Sequence, residues 1–365
     1  MSARDARNGP VRDATTGKRG RRDASSGPGS SRVAREQTGN VRSTGRRKKG
    51  PTQAVAVPPV DGLVVGPVPA SARTTGVLLV LAGLVGAVAP FPTYLVVGGR
   101  ALSQASGVGA VLIALLVPLT HVLVGAGLAR GRVPKFGLAY AGVAGALALG
   151  LFLIEVYRGS SSTSRPGVEV LAGERVLTSS VEAGPGWVLG LVALGLTVLA
   201  ACVGSVAWGR TVMEDGGSLD PVRSGLAGAA VLLGVATVLC LSLPAADVPD
   251  QLTTDPVTGM QTVVTREGPQ ALLERPGLAL LGGLLLAGAV VLCAVIAPSL
   301  RPRLAAVGGL LALTVAVLSA GLIGAHDALH SPDLEWTLPG IGLVFAGLAF
   351  AGLTGVAWRV RRGGP

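Results

Sequence analysis

The densest grouping of side chains able to do chemistry is His326-Asp327-Ala328-Leu329-His330, with Asp333 and Glu335 close behind it. Two imidazoles four residues apart share one face if the segment is helical, and a carboxylate such as Asp327 then supplies a third ligand for a zinc-type ion. The segment has no Glu between its two His in the position of a zinc-protease helix. An acidic outer loop that happens to contain His is the plainer reading. His121 is the remaining histidine and falls inside an apolar run, three residues after Pro118. An ionisable group there is a candidate transport-path residue, but no second ionisable side chain lies at the centre of any such run, and a proton relay needs partners. Glu155, near Tyr157 and Arg158 at the end of another run, reads as interfacial.

Other chemistry is missing from the pattern. Phosphate-binding glycine loops, Gly-x-Ser-x-Gly elbows and zinc-type cysteine spacings do not occur. The three cysteines, Cys202, Cys240 and Cys293, all fall in apolar runs at mismatched depths, which suits small apolar filler rather than a disulfide framework. The chain is therefore expected to be no enzyme and to need no cofactor.

The elements that must hold these residues follow from composition. Of 365 residues, 49% are hydrophobic, 14% charged and 3% aromatic, whereas a soluble protein is about a quarter charged. Apolar runs of the length that spans a bilayer occur at about 76 to 97, 105 to 129, 136 to 157, 186 to 208, 224 to 243, 277 to 297, 304 to 325 and 338 to 358. The expected fold is an all-α integral membrane protein with eight transmembrane helices in a bundle. Short β-hairpins are expected in the two long loops, residues 158 to 185 and 244 to 276, where β-prone pairs flank turn signals.

The formal charge of +11 divides unevenly. Residues 1 to 75 carry 15 Lys+Arg against 5 Asp+Glu, and the remaining 290 carry 16 against 15. The first segment is rich in Gly, Ser, Thr, Pro and Arg and reads as a disordered basic tail. Within it, Arg46, Arg47, Lys48 and Lys49 form the strongest cluster and suit contact with anionic lipid headgroups. With no Phe, Tyr or Trp in residues 1 to 75, the tail has no stacking platform for nucleic acid, and none is expected as partner. Counting Lys and Arg in the loops puts ten on the tail's side and six opposite, so the positive-inside rule makes both termini cytoplasmic, residues 359 to 365 forming a short basic end.

Trp187 and Trp208 bracket the fourth run, and Trp336 and Trp358 the eighth. Separations of 21 and 22 residues correspond to about 32 and 33 Å of helix, so these four are expected as interfacial anchors. Rows of small residues, Gly137, Ala141 and Gly145 in the third run and Gly347, Ala351 and Gly355 in the eighth, allow close helix packing. They suit packing within the bundle, or association with membrane-protein partners or a second copy.

With 27 Arg against 4 Lys and abundant Ala, Gly and Val, the composition is that of a high-GC bacterium, actinobacterial in type. The leading expectation is a multi-pass plasma-membrane protein that scaffolds or regulates a cell-envelope assembly, its partners being lipids and other membrane proteins. The alternative is a permease for a small or apolar solute, which requires a water-accessible cavity near His121.

Overall fold

The computed structural model describes residues 63–159, 168–171, 174–177, 181–215, 220–248, 251–254, 261–264, 271–275, 277–330 and 334–362. Arg46 to Lys49 and most of the basic tail lie outside them, as does Asp333. Among the described residues are eight helices long and apolar enough to cross a membrane. They are α1 (Ala70–Val88), α2 (Val108–Ala129), α3 (Pro134–Gly159), α4 (Pro185–Trp208), α5 (Asp220–Leu241), α6 (Leu278–Ile296), α7 (Arg303–His330) and α8 (Leu338–Arg362). Each helix reverses the direction of the one before. The start of α1 and the end of α8 therefore share one end of the bundle, called proximal below, and the other end is distal.

Two of the expected boundaries are corrected. The first helix occupies Ala70–Val88 rather than 76 to 97. It stops just ahead of Pro90 and Pro92, neither of which can donate the backbone N–H that a continuing helix needs. Residues Leu95–Val97 continue the apolar run but form a strand that pairs with Arg100–Leu102. The turn between them is Gly98-Gly99, both with positive φ (57° and 80°), the backbone that a tight two-residue hairpin demands. At the other correction, α7 runs on to His330, so His326, Asp327 and His330 stand on the last turns of a helix and not in a loop. The remaining helices match the expected runs to within a few residues.

Helices adjacent in sequence pair as α1 with α2, α3 with α4, α5 with α6 and α7 with α8, and α3 and α7 are the most enclosed. The pattern repeats after four helices. The pair α1–α4 corresponds to α5–α8, α3–α6 corresponds to α7–α2, and α3 meets its own counterpart α7. The strands obey the same rule. Leu95–Val97, between α1 and α2, pairs with Val181–Ala183 just ahead of α4. Ala246–Asp247, between α5 and α6, pairs with Glu335–Trp336 just ahead of α8. The bundle is thus two matched halves, α1–α4 and α5–α8, joined along α3 and α7. Helices one to four and five to eight cross in the same senses, so the two halves repeat one contact pattern in the same orientation.

One seam of this arrangement is closed by glycine. A Cβ on Gly150 of α3 would lie 2.7 Å from the carbonyl oxygen of Gly282 on α6, and the converse distance is also 2.7 Å. With hydrogens in place of side chains the two backbones touch, and van der Waals packing replaces the hydrophobic drive that lipid cannot supply. The third-helix row packs inside the bundle as well, Gly137 against Leu128 and Gly145 against Ala201, while in the eighth Gly347 meets Leu318 and Gly355 faces open space.

Candidate functional site

The counterpart of the α3–α6 seam, between α2 and α7, is packed more loosely. A cavity of about 590 Å³ lies beside it, lined by residues of both halves. Apolar side chains make most of its wall, among them Ile113, Ala144, Leu147, Leu286 and Val315, and polar groups gather at its two extremes. Among small-molecule sites this volume and this mixture are typical.

At the distal extreme stand Tyr94, Glu155, Arg158, Arg275, His326 and Asp327. Glu155 organises one side. Its carboxylate accepts a hydrogen bond from the Tyr94 hydroxyl and sits 3.6 Å from Nη1 of Arg158, and its backbone carbonyl accepts from the Trp187 indole at 2.8 Å. Tyr94 is delivered by the three-stranded sheet, whose residues Leu95, Val97, Leu102 and Val181 form a small core against Trp187. Burial first, and the Glu155 charge second, raise the Tyr94 phenol well above its ordinary value. The folded protein therefore keeps this proton at a pH where the unfolded chain has released it. Its contribution to stability is complete below about pH 10 and is lost as the pH rises beyond that. Tyr94→Phe should flatten the fall of melting temperature above about pH 10; an unchanged slope in differential scanning fluorimetry would contradict the assignment.

Opposite Glu155, His326 Nδ1 is 3.6 Å from the Asp327 carboxylate. The rings of His326 and His330 stack with centroids 4.0 Å apart and planes 18° from parallel, and His330 Nδ1 is 2.9 Å from the His326 carbonyl. Stacking aligns the imidazoles face to face, whereas shared metal ligation needs ring nitrogens converging on one point. Among the described residues, no group of three or more His, Cys, Asp or Glu has a metal-holding arrangement.

The deep extreme is His121, about 20 Å along α2 from its distal end. His121 is 6% exposed. Its Nδ1 lies 2.9 Å from the Val117 carbonyl and 3.1 Å from the Tyr140 hydroxyl, and Tyr140 is also 3.0 Å from Thr120 Oγ1. The Tyr140 and His121 rings meet edge to face at 5.5 Å between centroids. Just above, Pro118 lacks an N–H, so the Ala114 carbonyl loses its donor four residues on; both residues line the cavity.

The structure thus brings together His121, His326 and Asp327, which lie far apart in sequence, around one space. It leaves His330 largely at the surface. Tyr140, Thr120 and Tyr94 were not foreseen as site residues. The available signal was Tyr140 itself, a tyrosine six residues inside a span rather than at its interface. Of the four tryptophans, Trp187 fastens α4 to α3, Trp208 lies beneath Lys135 with Nζ 5.2 Å from the ring centroid, Trp336 is exposed and Trp358 packs against the main core.

Fold and site together define an eight-helix, multi-pass membrane bundle with a cavity between two matched halves. No family model matches the chain, and no curated protein and no solved structure matches it.

Proposed function

We propose that this chain is a permease for a small, largely apolar solute. The observation that carries the reading is the cavity itself, at the interface of two matched halves and reaching inward to His121. Transporters built from internal repeats bind their solutes at such interfaces near the middle of the membrane. A scaffold or regulator of an envelope assembly, the reading that the long basic tail first suggests, has no use for an internal space of about 590 Å³.

In this reading the protein sits in the plasma membrane of an actinobacterium with both termini in the cytoplasm. The distal end then faces outward, and the Arg46 to Lys49 cluster lies on the anionic inner leaflet. The test is thiol accessibility from each side of the membrane. In a chain whose three native cysteines are replaced by Ala, Ala144→Cys should react with an impermeant thiol reagent added to either side, faster from the distal side. Leu123→Cys, on the lipid-facing surface, should react from neither. Reaction at Ala144→Cys from one side only, or from neither, would overturn the permease reading.

A further inference from the structure

Hydrogen-bond accounting at the deep end of the cavity says what kind of solute it takes. Val117 O can only accept, which assigns the proton to the His121 nitrogen 2.9 Å from it; in that tautomer the Tyr140 hydroxyl, 3.1 Å from the same nitrogen, does not donate to it. Thr120 Oγ1 donates to the same carbonyl at 2.7 Å, and the Tyr140 hydroxyl then donates to Thr120. Every donor in this group is thereby used. An imidazole protonated at Nδ1, in an apolar wall and with no carboxylate against it, is uncharged and holds a lone pair on Nε2. Glu155 stands fifteen residues from Tyr140 on α3, about 22 Å away along the helix.

Nε2 of His121 has no hydrogen-bond partner among the described residues, and it is not one of the sealed, unpartnered atoms of the interior. It keeps accessible surface on a residue that lines the cavity. Away from the mouth, where Gln104 and Ser106 stand, three further wall hydroxyls are spent locally: Thr197 on Ala193 O, Thr237 on Leu233 O and Ser319 on Ala316 O. The Ala114 carbonyl, released by Pro118, adds a second acceptor on the same helix. What the deep wall offers a solute is thus acceptors without a donor. Among the described residues at the mouth, Glu155 and Asp327 stand against Arg158 and Arg275, two charges of each sign.

We infer that the cavity takes an uncharged amphiphile whose inserted end carries an O–H or N–H donor, delivered to Nε2 of His121. This rests on the cavity being a solute site and adds which chemistry it selects. The probes are a long-chain primary alcohol with a mid-chain diazirine and the methyl ether of the same alcohol, which cannot donate. In nanodiscs, photolysis with the alcohol should label cavity residues such as Ala144 and Leu147, at least about tenfold more than the ether does at equal concentration. His121→Phe, which leaves the Tyr140–Thr120 bond in place, should bring that ratio to about one. In the wild-type protein the ¹⁵N resonance of His121 Nε2, readily assigned in a chain with three histidines, should shift with the alcohol and stay still with the ether. Equal cavity labelling by both probes with an unmoved resonance would overturn the inference and leave the cavity reading standing. Absence of cavity labelling by either probe would overturn both.

Discussion

Gly282→Leu is expected to keep the two halves of the bundle from docking. A Cβ at this position would lie 2.7 Å from the Gly150 carbonyl oxygen, 2.9 Å from Ile154 Cγ1 and 3.0 Å from the Ile154 backbone nitrogen. Two of these are backbone atoms of a central helix, which cannot turn aside as a side-chain tip can. Overpacking in a well-packed core costs about 1 to 3 kcal/mol when side chains can adjust, and here α3 and α6 must separate along their length. The measurement is thermal unfolding in detergent with size-exclusion profiles. Gly288→Leu is the control on the same helix, because a Cβ there meets nothing within 4 Å. The first variant should aggregate or lose most of its thermal margin, and the second should behave as wild type. Equal melting of the two would show that the α3–α6 approach does not bear on the assembly.

The second large effect is expected from Pro118→Ala, in the opposite direction for stability. A proline within a helix costs about 3 kcal/mol relative to alanine, because it removes a hydrogen bond and crowds the preceding turn. In the hydrocarbon region an unpaired carbonyl adds to this. Alanine restores the donor to Ala114 O, so the variant should unfold at a higher temperature, by roughly 1 to 3 kcal/mol of stability. The function should suffer for the same reason. Ala114 and Pro118 both line the cavity, and closing the carbonyl into the helix removes an acceptor while stiffening the wall between mouth and His121. Labelling of Ala144→Cys from the proximal side should drop by at least about tenfold as α2 stops yielding, in the pattern of stability gained where activity needs a strained element. A lower melting temperature for Pro118→Ala would sink the idea that this turn is held under strain.

How far the molecule was legible in the amino-acid order differs by element. Eight apolar stretches identified eight helices because chain length in hydrocarbon is a one-dimensional property. The end of the first helix was misplaced because Leu95, Val96 and Val97 are as apolar as the helix before them, so hydropathy runs on through Pro90 and Pro92 into a strand. The last turns of α7 escape hydropathy for the reverse reason: Ala325-His326-Asp327-Ala328 is too polar for a hydrocarbon span yet well able to stay helical once Ala328 packs beside Ala246 and Val248. His121 stood out by type alone. Its partners did not, because Tyr140 belongs to another helix and its hydroxyl meets Thr120 only after α2 and α3 have been set side by side. The cavity is less legible still, being a looseness of packing beside the α2–α7 contact. The sequence of either helix gives no hint that this seam stays looser while α3 and α6 shut on Gly150 and Gly282.

Two halves with one contact pattern, joined in a single chain, can do what a pair of separate chains cannot. Four is an even number of crossings, so a second copy of the unit enters the bilayer in the same sense as the first, and two separate four-helix chains could in principle assemble as a parallel homodimer. Such a dimer must present every interface twice, each copy giving and receiving the same contact. It would have two shut seams or two open ones. Covalent fusion lifts that obligation: glycines at 150 and 282 can seal one side while Pro118, His121 and the charged mouth develop on the other. One molecule then holds a single cavity on one side and a glycine-closed seam on the other.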